Sequence, residues 1–157
     1  MKLAASLPKE HQTLLSEGPL LLYDGDCGVC AASVKWILQR ETANESLRFA
    51  SLQSRLGEEL REHLPLPENL DSILWLEQMS TAETASSNIA ISFYSTAVIR
   101  ALRYLGGIYQ IGAFCLWSVP RPIRDFAYRT FAAHRHQFLE ASCFVPSKDQ
   151  RERFLEG

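Results

Sequence analysis

The stretch Leu20-Leu21-Leu22-Tyr23-Asp24-Gly25-Asp26-Cys27-Gly28-Val29-Cys30 decides how this chain folds. Four apolar residues followed at once by an Asp-Gly-Asp turn signal fit a buried strand better than a helix. From Cys27 onward the period changes. Cys30, Val34, Ile37 and Leu38 fall on one helical face, while Lys35, Gln39 and Arg40 fall elsewhere. The reading is strand, tight turn, helix, with the helix beginning at the cysteines.

Working outward, the unit repeats. Leu47-Arg48-Phe49-Ala50 reads as a second strand, and Leu52, Leu56 and Leu60 recur every four residues until Pro65 and Pro67 end a helix. Ile73-Leu74-Trp75-Leu76 reads as a third strand. A polar turn over residues 81–88 leads to a fourth strand over 89–94, its hairpin partner. Ser95 or Thr96 can cap the next helix, with Val98, Ala101, Leu102 and Leu105 facing inward and Gly106-Gly107 ending it. The order β-α-β-α-β-β-α predicts an α/β fold with a mixed sheet, the element order of a thioredoxin-like domain.

Three regions follow from this reading: a polar, loosely organised leader over residues 1–18, the core over 19–107, and a helical extension and tail over 108–157 packed on that core. Residues 108–119 are apolar but too few to span a bilayer, so they are expected to form a helix covering the sheet, with a helix on a bilayer surface as the alternative. After Pro120 and Pro122, the residues Ile123, Phe126, Ala127, Thr130 and Phe131 share one helical face. Residues 100–139 hold six Arg against one Asp, a local +5 that leaves −7 for the remainder of a chain of net charge −2. A solvated basic face or an anionic partner would each account for that segment.

Composition bounds the rest. The 157 residues are 46% hydrophobic and 22% charged, which suits one globular domain and excludes a disordered chain, a collagen-like fibre and a coiled coil. The near-neutral balance gives no reason to expect a nucleic-acid partner. Four cysteines are too few for a disulfide-stapled miniprotein. The N-terminus carries no apolar segment before a small-residue cleavage site, so a cytoplasmic, reducing location without a membrane span is expected.

Chemistry concentrates at Cys27-Gly28-Val29-Cys30. Two intervening residues place both sulfurs in the first helical turn, near disulfide reach. Backbone N–H groups at a helix N-terminus stabilise an anion, and the thiolate is the reactive form of cysteine. Position therefore assigns Cys27 as nucleophile and Cys30 as resolving thiol. A zinc site would need a second cysteine pair or suitably spaced histidines. Cys115 and Cys143 are single, and His134 and His136 are two apart and do not share a helical face. Cys115, in an apolar run, is expected to be a buried core thiol. No metal or other cofactor is expected.

Asp26 could cap the helix. Asp24 has two open readings, turn-making through nearby backbone, or proton acceptor for Cys30 during resolution. An apolar strand followed by Asp-x-Asp also resembles the nucleophile loop of haloacid-dehalogenase-type phosphatases. That chemistry needs later acids and a positioned Lys, and this chain places none suitably.

The run Tyr23-Asp24-Gly25-Asp26-Cys27-Gly28-Val29-Cys30 resembles the signature of the DCC family of thiol-disulfide oxidoreductases, whose Asp-Cys-Cys pattern is here Asp24, Cys27 and Cys30. Further segments carry the likeness: Leu47-Arg48-Phe49-Ala50-Ser51-Leu52-Gln53, Ser95-Thr96-Ala97, Leu105-Gly106-Gly107, Arg124-Asp125 with Tyr128 and Arg135, and Cys143, Pro146 and Arg153-Phe154-Leu155. The resemblance implies a thioredoxin-like fold and dithiol–disulfide exchange with a protein disulfide or a low-molecular-weight thiol. It departs in one place. Where thioredoxin-like enzymes set a cis-proline before the third strand, this chain has Asp71-Ser72. Tyr23, Trp36 and Arg135 are candidate lining residues that packing would explain equally well. A different class of function, a non-catalytic interaction module with a structural or metal-holding cysteine pair, remains open at this point.

Overall fold

In the computed structural model of the chain, residues 9–41, 46–64, 72–79, 88–134, 147 and 150–155 are described. Their elements run α1 (Lys9–Ser16), β1 (Leu20–Tyr23), α2 (Gly28–Leu38), β2 (Arg48–Ser51), α3 (Arg55–His63), β3 (Leu74–Met79), β4 (Asn88–Phe93), α4 (Ser95–Leu105), α5 (Tyr109–Ser118) and α6 (Arg121–His134). The four strands form one sheet in the order β2-β1-β3-β4. β1 lies parallel to β2, with Leu21 opposite Phe49, and antiparallel to β3, where Leu21 faces Trp75. β3 and β4 form the antiparallel hairpin. This is the mixed sheet expected of a thioredoxin-like fold, and the β-α-β-α-β-β-α core is present as read.

All four residues of β1 are buried because the strand is internal and both its faces are covered. Alternation divides them between two layers. Leu20 and Leu22 pack with Leu15, Ala50, Leu60, Leu74 and Ile89 on the side of α1 and α3. Leu21 and Tyr23 pack with Cys27, Cys30, Val34, Phe49 and Trp75 on the side of α2 and α4. Gly57 lets α3 approach the end of β2, since a Cβ there would lie 2.2 Å from the Ser51 carbonyl oxygen.

Several expectations need correction. The supposed leader contributes α1, whose Leu15 is 3% exposed and belongs to the core, so residues 9–16 are ordered packing rather than loose chain. Val98 and Leu102 of α4 are half-buried, while Ala97, Ile99, Ala101 and Leu105 point inward. α4 does end at Gly106 and Gly107, both at positive φ. α5 packs mainly on α4 rather than covering the sheet, and Ala113 is its buried residue. Cys115 is therefore exposed, not a core thiol. On α6 the face with Ile123 and Phe126 points to solvent, and Ala132 points inward. The turn expected at 81–88 falls, but for Asn88, outside the described residues, as do Pro65, Pro67, Asp71, Arg135, His136, Cys143 and Pro146.

A tail segment closes the β2 edge. Phe154 forms a parallel bridge with Phe49 and stacks on its ring at 5.2 Å, and the Leu155 N–H donates to the Phe49 carbonyl at 2.8 Å. Arg153 pairs with the Glu41 carboxylate and donates to the Leu47 carbonyl at 2.9 and 2.7 Å. Tyr104 also donates to Glu41 and accepts the Leu47 N–H at 2.9 Å. Burial and the Glu41 carboxylate push the Tyr104 hydroxyl above its usual value.

Candidate active site

The parallel β1–α2 unit brings the cysteines to the C-terminal end of β1, where the chain turns into a helix. Cys27 is the N-cap residue of α2, extended at φ −100°, ψ 113°. Its N–H donates to the Asp24 carbonyl at 3.3 Å, and its carbonyl accepts the Ala31 N–H at 3.0 Å. Cys30 lies one turn into the helix, on the buried face. The two thiols share one apolar cluster and are not joined in a disulfide. Asp26 does not cap α2. It is exposed, and its N–H donates to Asp24 Oδ1 at 3.1 Å.

Asp24 is half-buried and organises the turn. Besides Asp26, its Oδ1 accepts Gln53 Nε2 at 2.8 Å, and Gln53 Oε1 in turn accepts the Gly25 N–H at 3.0 Å and the Ser51 hydroxyl at 2.6 Å. The Leu52 N–H donates to the Tyr23 carbonyl at 2.8 Å, holding the end of β2 beside the turn. At Gly25 a Cβ would meet Ser51 Oγ at 2.7 Å, so a larger residue there would displace the Ser51 hydroxyl from Gln53. Gln53 and Ser51 thus support the cysteine turn from a different element. Their sequence signal lay only in the Ser51-Leu52-Gln53 resemblance.

Both sulfurs are covered: Cys27 is 1% exposed and Cys30 is 5%. A pocket of about 210 Å³ reaches Cys30, walled by Val29, Ser33, Ile73, Tyr128 and Phe131. It adjoins an apolar groove of about 460 Å³ between α2 and α4, edged by Trp36 and Leu102. α6 supplies the roof. The Ile73 N–H donates to the Tyr128 hydroxyl at 3.3 Å, and the Ser72 hydroxyl reaches the same oxygen at 3.3 Å. Ser72 Oγ also accepts the Tyr94 N–H at 2.9 Å. Tyr94 is held at φ 54°, a conformation costly for a bulky residue, with its ring against Phe93 and Tyr128.

The backbone N–H of Ile73 at the entrance to β3 is therefore satisfied from within, and the described residues contain no cis peptide. Tyr128 and Ser72 were invisible as site residues because they meet across 56 positions of sequence. Tyr23 is buried beneath the cysteines, and Trp36 stands at the groove with its ring under the Arg40 guanidinium at 4.5 Å. Among the described residues no group of three or more His, Cys, Asp or Glu side chains comes together to hold a metal ion.

Comparison with known proteins points the same way. The model of the DCC1-like thiol-disulfide oxidoreductase family matches residues 21–141. The chain is similar to the uncharacterized protein YuxK of Bacillus subtilis (strain 168), 30% identical over 139 residues that cover 87% of this chain and 93% of that protein. It is also similar to the chloroplastic DCC family protein At1g52590 of Arabidopsis thaliana, 29% identical over 137 residues covering 85% and 73% respectively. No solved structure gives a significant match.

Proposed function

Because the chain belongs to the DCC1-like thiol-disulfide oxidoreductase family, we propose that it exchanges electrons with disulfides through Cys27 and Cys30. The observation that carries this reading is the placement of Cys27 as the N-cap residue of α2 with Cys30 one turn behind it in the same apolar cluster. Cys27 stands where α2 leaves backbone amides unpaired, although its side chain makes no capping hydrogen bond, and Cys30 sits one turn further along the chain in the same apolar cluster.

Cys27 Sγ, as thiolate, attacks one sulfur of a substrate disulfide. A Cys27–substrate bond forms, the substrate S–S bond breaks, and the departing half takes the electron pair and a proton. Cys30 then loses its proton, for which Asp24 is the proposed acceptor, and its sulfur attacks Cys27 Sγ. The Cys27–Cys30 disulfide forms and the second substrate half leaves as a thiol. Two electrons have passed from the dithiol to the substrate, and a thiol reductant returns the pair to its starting state. No cofactor takes part. The substrate of this step is a protein disulfide, and a low-molecular-weight thiol fits the reductant that restores the pair, in a reducing compartment that we take to be the cytoplasm.

With both sulfurs buried, turnover requires the cover to move. Cys27 directly follows the exposed Gly25-Asp26 turn, so a local shift there uncovers it, whereas Cys30 is reached from beneath α6.

Trapping tests the reading. Cys30→Ser exposed to an oxidised protein substrate should accumulate a mixed disulfide through Cys27, identified by mass spectrometry, and Cys27→Ser should not. An adduct through Cys30 alone would reverse the roles of the two residues. No specific adduct from either variant, together with zinc or iron bound stoichiometrically by the wild type, would establish the interaction-module reading instead.

A further inference from the structure

α5 and α6 turn large apolar side chains into solvent. Ile108 is 74% exposed, Ile111 64%, Phe114 64%, Trp117 58%, Ile123 59% and Phe126 73%. The first four recur every three residues and so wind around the exposed part of α5 rather than lining up, and Ile123 and Phe126 continue the apolar surface across the Pro120 turn. Residues 105–120 contain no charged side chain at all. Patches of this kind on a protein surface mark a contact site.

We propose that this helical hairpin docks on an anionic lipid surface, lying in the interface rather than crossing it. α5 has 10 residues and no described helix is long and apolar enough to span a bilayer. An in-plane hairpin with exposed aromatic and aliphatic residues and arginines beside them has the make-up of an interfacial element. The charge points to anionic headgroups. Arg129 is exposed one turn from Phe126 and Arg103 is exposed on α4, against which α5 packs, while Arg121 at the start of α6 is exposed but paired with Asp125. Residues 100–139 carry +5 with no Lys or Glu, although the rest of the chain carries −7. Arginine can lay its apolar stem along such a surface and hold its guanidinium at the phosphate level. A second copy of the chain is the weaker occupant. Two-fold pairing of this face would set its arginines against the same arginines with one acid, Asp125, to offset them, and Arg121 already engages it at 3.2 Å.

The test is co-sedimentation of the full chain with vesicles of phosphatidylcholine alone and of phosphatidylcholine mixed with phosphatidylglycerol. Binding should be at least about tenfold tighter on the anionic vesicles and should weaken as salt rises. Phe114→Ser and Phe126→Ser should each reduce it about tenfold or more, with unchanged far-ultraviolet circular dichroism because both side chains are exposed. Arg129→Gln should reduce it about fivefold on anionic vesicles alone. Brominated lipid should quench the fluorescence of the wild type but spare that of Trp117→Phe to a measurable extent. Absence of binding, equal binding to both vesicles, or indifference to the phenylalanine substitutions would overturn the proposal. So would a dimer, seen by sedimentation equilibrium, that Phe126→Ser dissociates in a chain that ignores vesicles. Repeating the assay with Cys27→Ser and Cys30→Ser keeps the outcome independent of any thiol chemistry.

Discussion

The Tyr128 hydroxyl in α6 accepts the Ile73 N–H at 3.3 Å, beside the pocket wall that holds Cys30. A helix from the extension thus satisfies backbone at the entrance to β3, next to the thiols. Removing the hydroxyl loosens the roof without emptying the space beneath the ring. Tyr128→Phe should raise the alkylation rate of Cys30 severalfold, read by mass spectrometry of partially labelled protein. It should cost about 1 kcal/mol in denaturant unfolding. An unchanged Cys30 rate would mean that access does not run beneath α6.

Gln53 is the second lever on the site, acting on the turn rather than the roof. It bonds Asp24 at 2.8 Å and Gly25 at 3.0 Å from an exposed position at the end of β2. Gln53→Leu removes both bonds and should slow the trapping reaction of Cys27 by about tenfold through lost positioning. The cost in global stability should stay near 1 kcal/mol. Gln53→Glu, which keeps the acceptor for Gly25 but places a second carboxylate against Asp24, should not rescue the rate.

Gly57→Ala addresses the packing that carries α3. A new Cβ would stand 2.2 Å from the Ser51 carbonyl oxygen and 2.9 Å from the Leu52 backbone, neither of which is the end of a flexible side chain. Helix propensity favours alanine by about 1 kcal/mol, but displacing the end of β2 costs about 1–3 kcal/mol or more. We expect net destabilisation and a disturbed Ser51–Gln53 network, measured together by thermal unfolding and by the Cys27 trapping rate.

The tail should be released by mutation and by alkali. Arg153→Met leaves the Glu41 carboxylate, whose side chain is 3% exposed, without its cation, at a cost of about 3–5 kcal/mol. Tyr104 supplies the pH dependence. Its folded-state value is raised above the ordinary 10.0 by burial and then by Glu41. Its contribution is therefore complete below about pH 10 and disappears as pH climbs through the raised value. Tyr104→Phe should lose stability at neutral pH and flatten that alkaline loss, measured by urea unfolding across the range.

Thiol accessibility offers a separate check. Cys115 is exposed on α5, whereas Cys27 and Cys30 are buried. In a Cys143→Ser background, a thiol reagent should therefore label Cys115 in a fast phase ahead of the cysteine pair, and Cys115→Ser should abolish that phase. A fast phase that survives in Cys115→Ser but vanishes in Cys27→Ser would place the nucleophile at the surface in solution.

Local pattern carried most of the core. The Leu20–Tyr23 run, its Asp-Gly-Asp turn and the period change at Cys27 are short-range signals, and each produced the element read from it. Alternation of strands and helices accounts for the parallel β1–β2 pair and the hairpin for β3–β4, whereas the antiparallel pairing of β1 with β3 does not follow from either. What escaped depends on distance or on the ambiguity of apolar residues. The apolar composition of residues 108–119 is compatible with covering the sheet or with facing outward, and only the packing of α5 on α4 decides between them, taking Cys115 to the surface. Glu41 and Arg153 meet across 112 residues, and Tyr128 and Ser72 across 56, so no window of sequence holds either pair. α1 escaped because only two adjacent apolar residues, Leu14 and Leu15, anchor a helix that is otherwise polar.

α6 presents Phe126 to the outside and Tyr128 to the inside, two residues apart on a single rigid rod. Such a rod cannot rotate or lift at one side while the other stays still. Anything that grips the outer side and tilts the helix also strains the hold on Ser72 and Ile73, and so changes how often the thiols see solvent. Chemistry and location would then be mechanically linked, and the protein would be most reactive where it is held rather than where it is dilute.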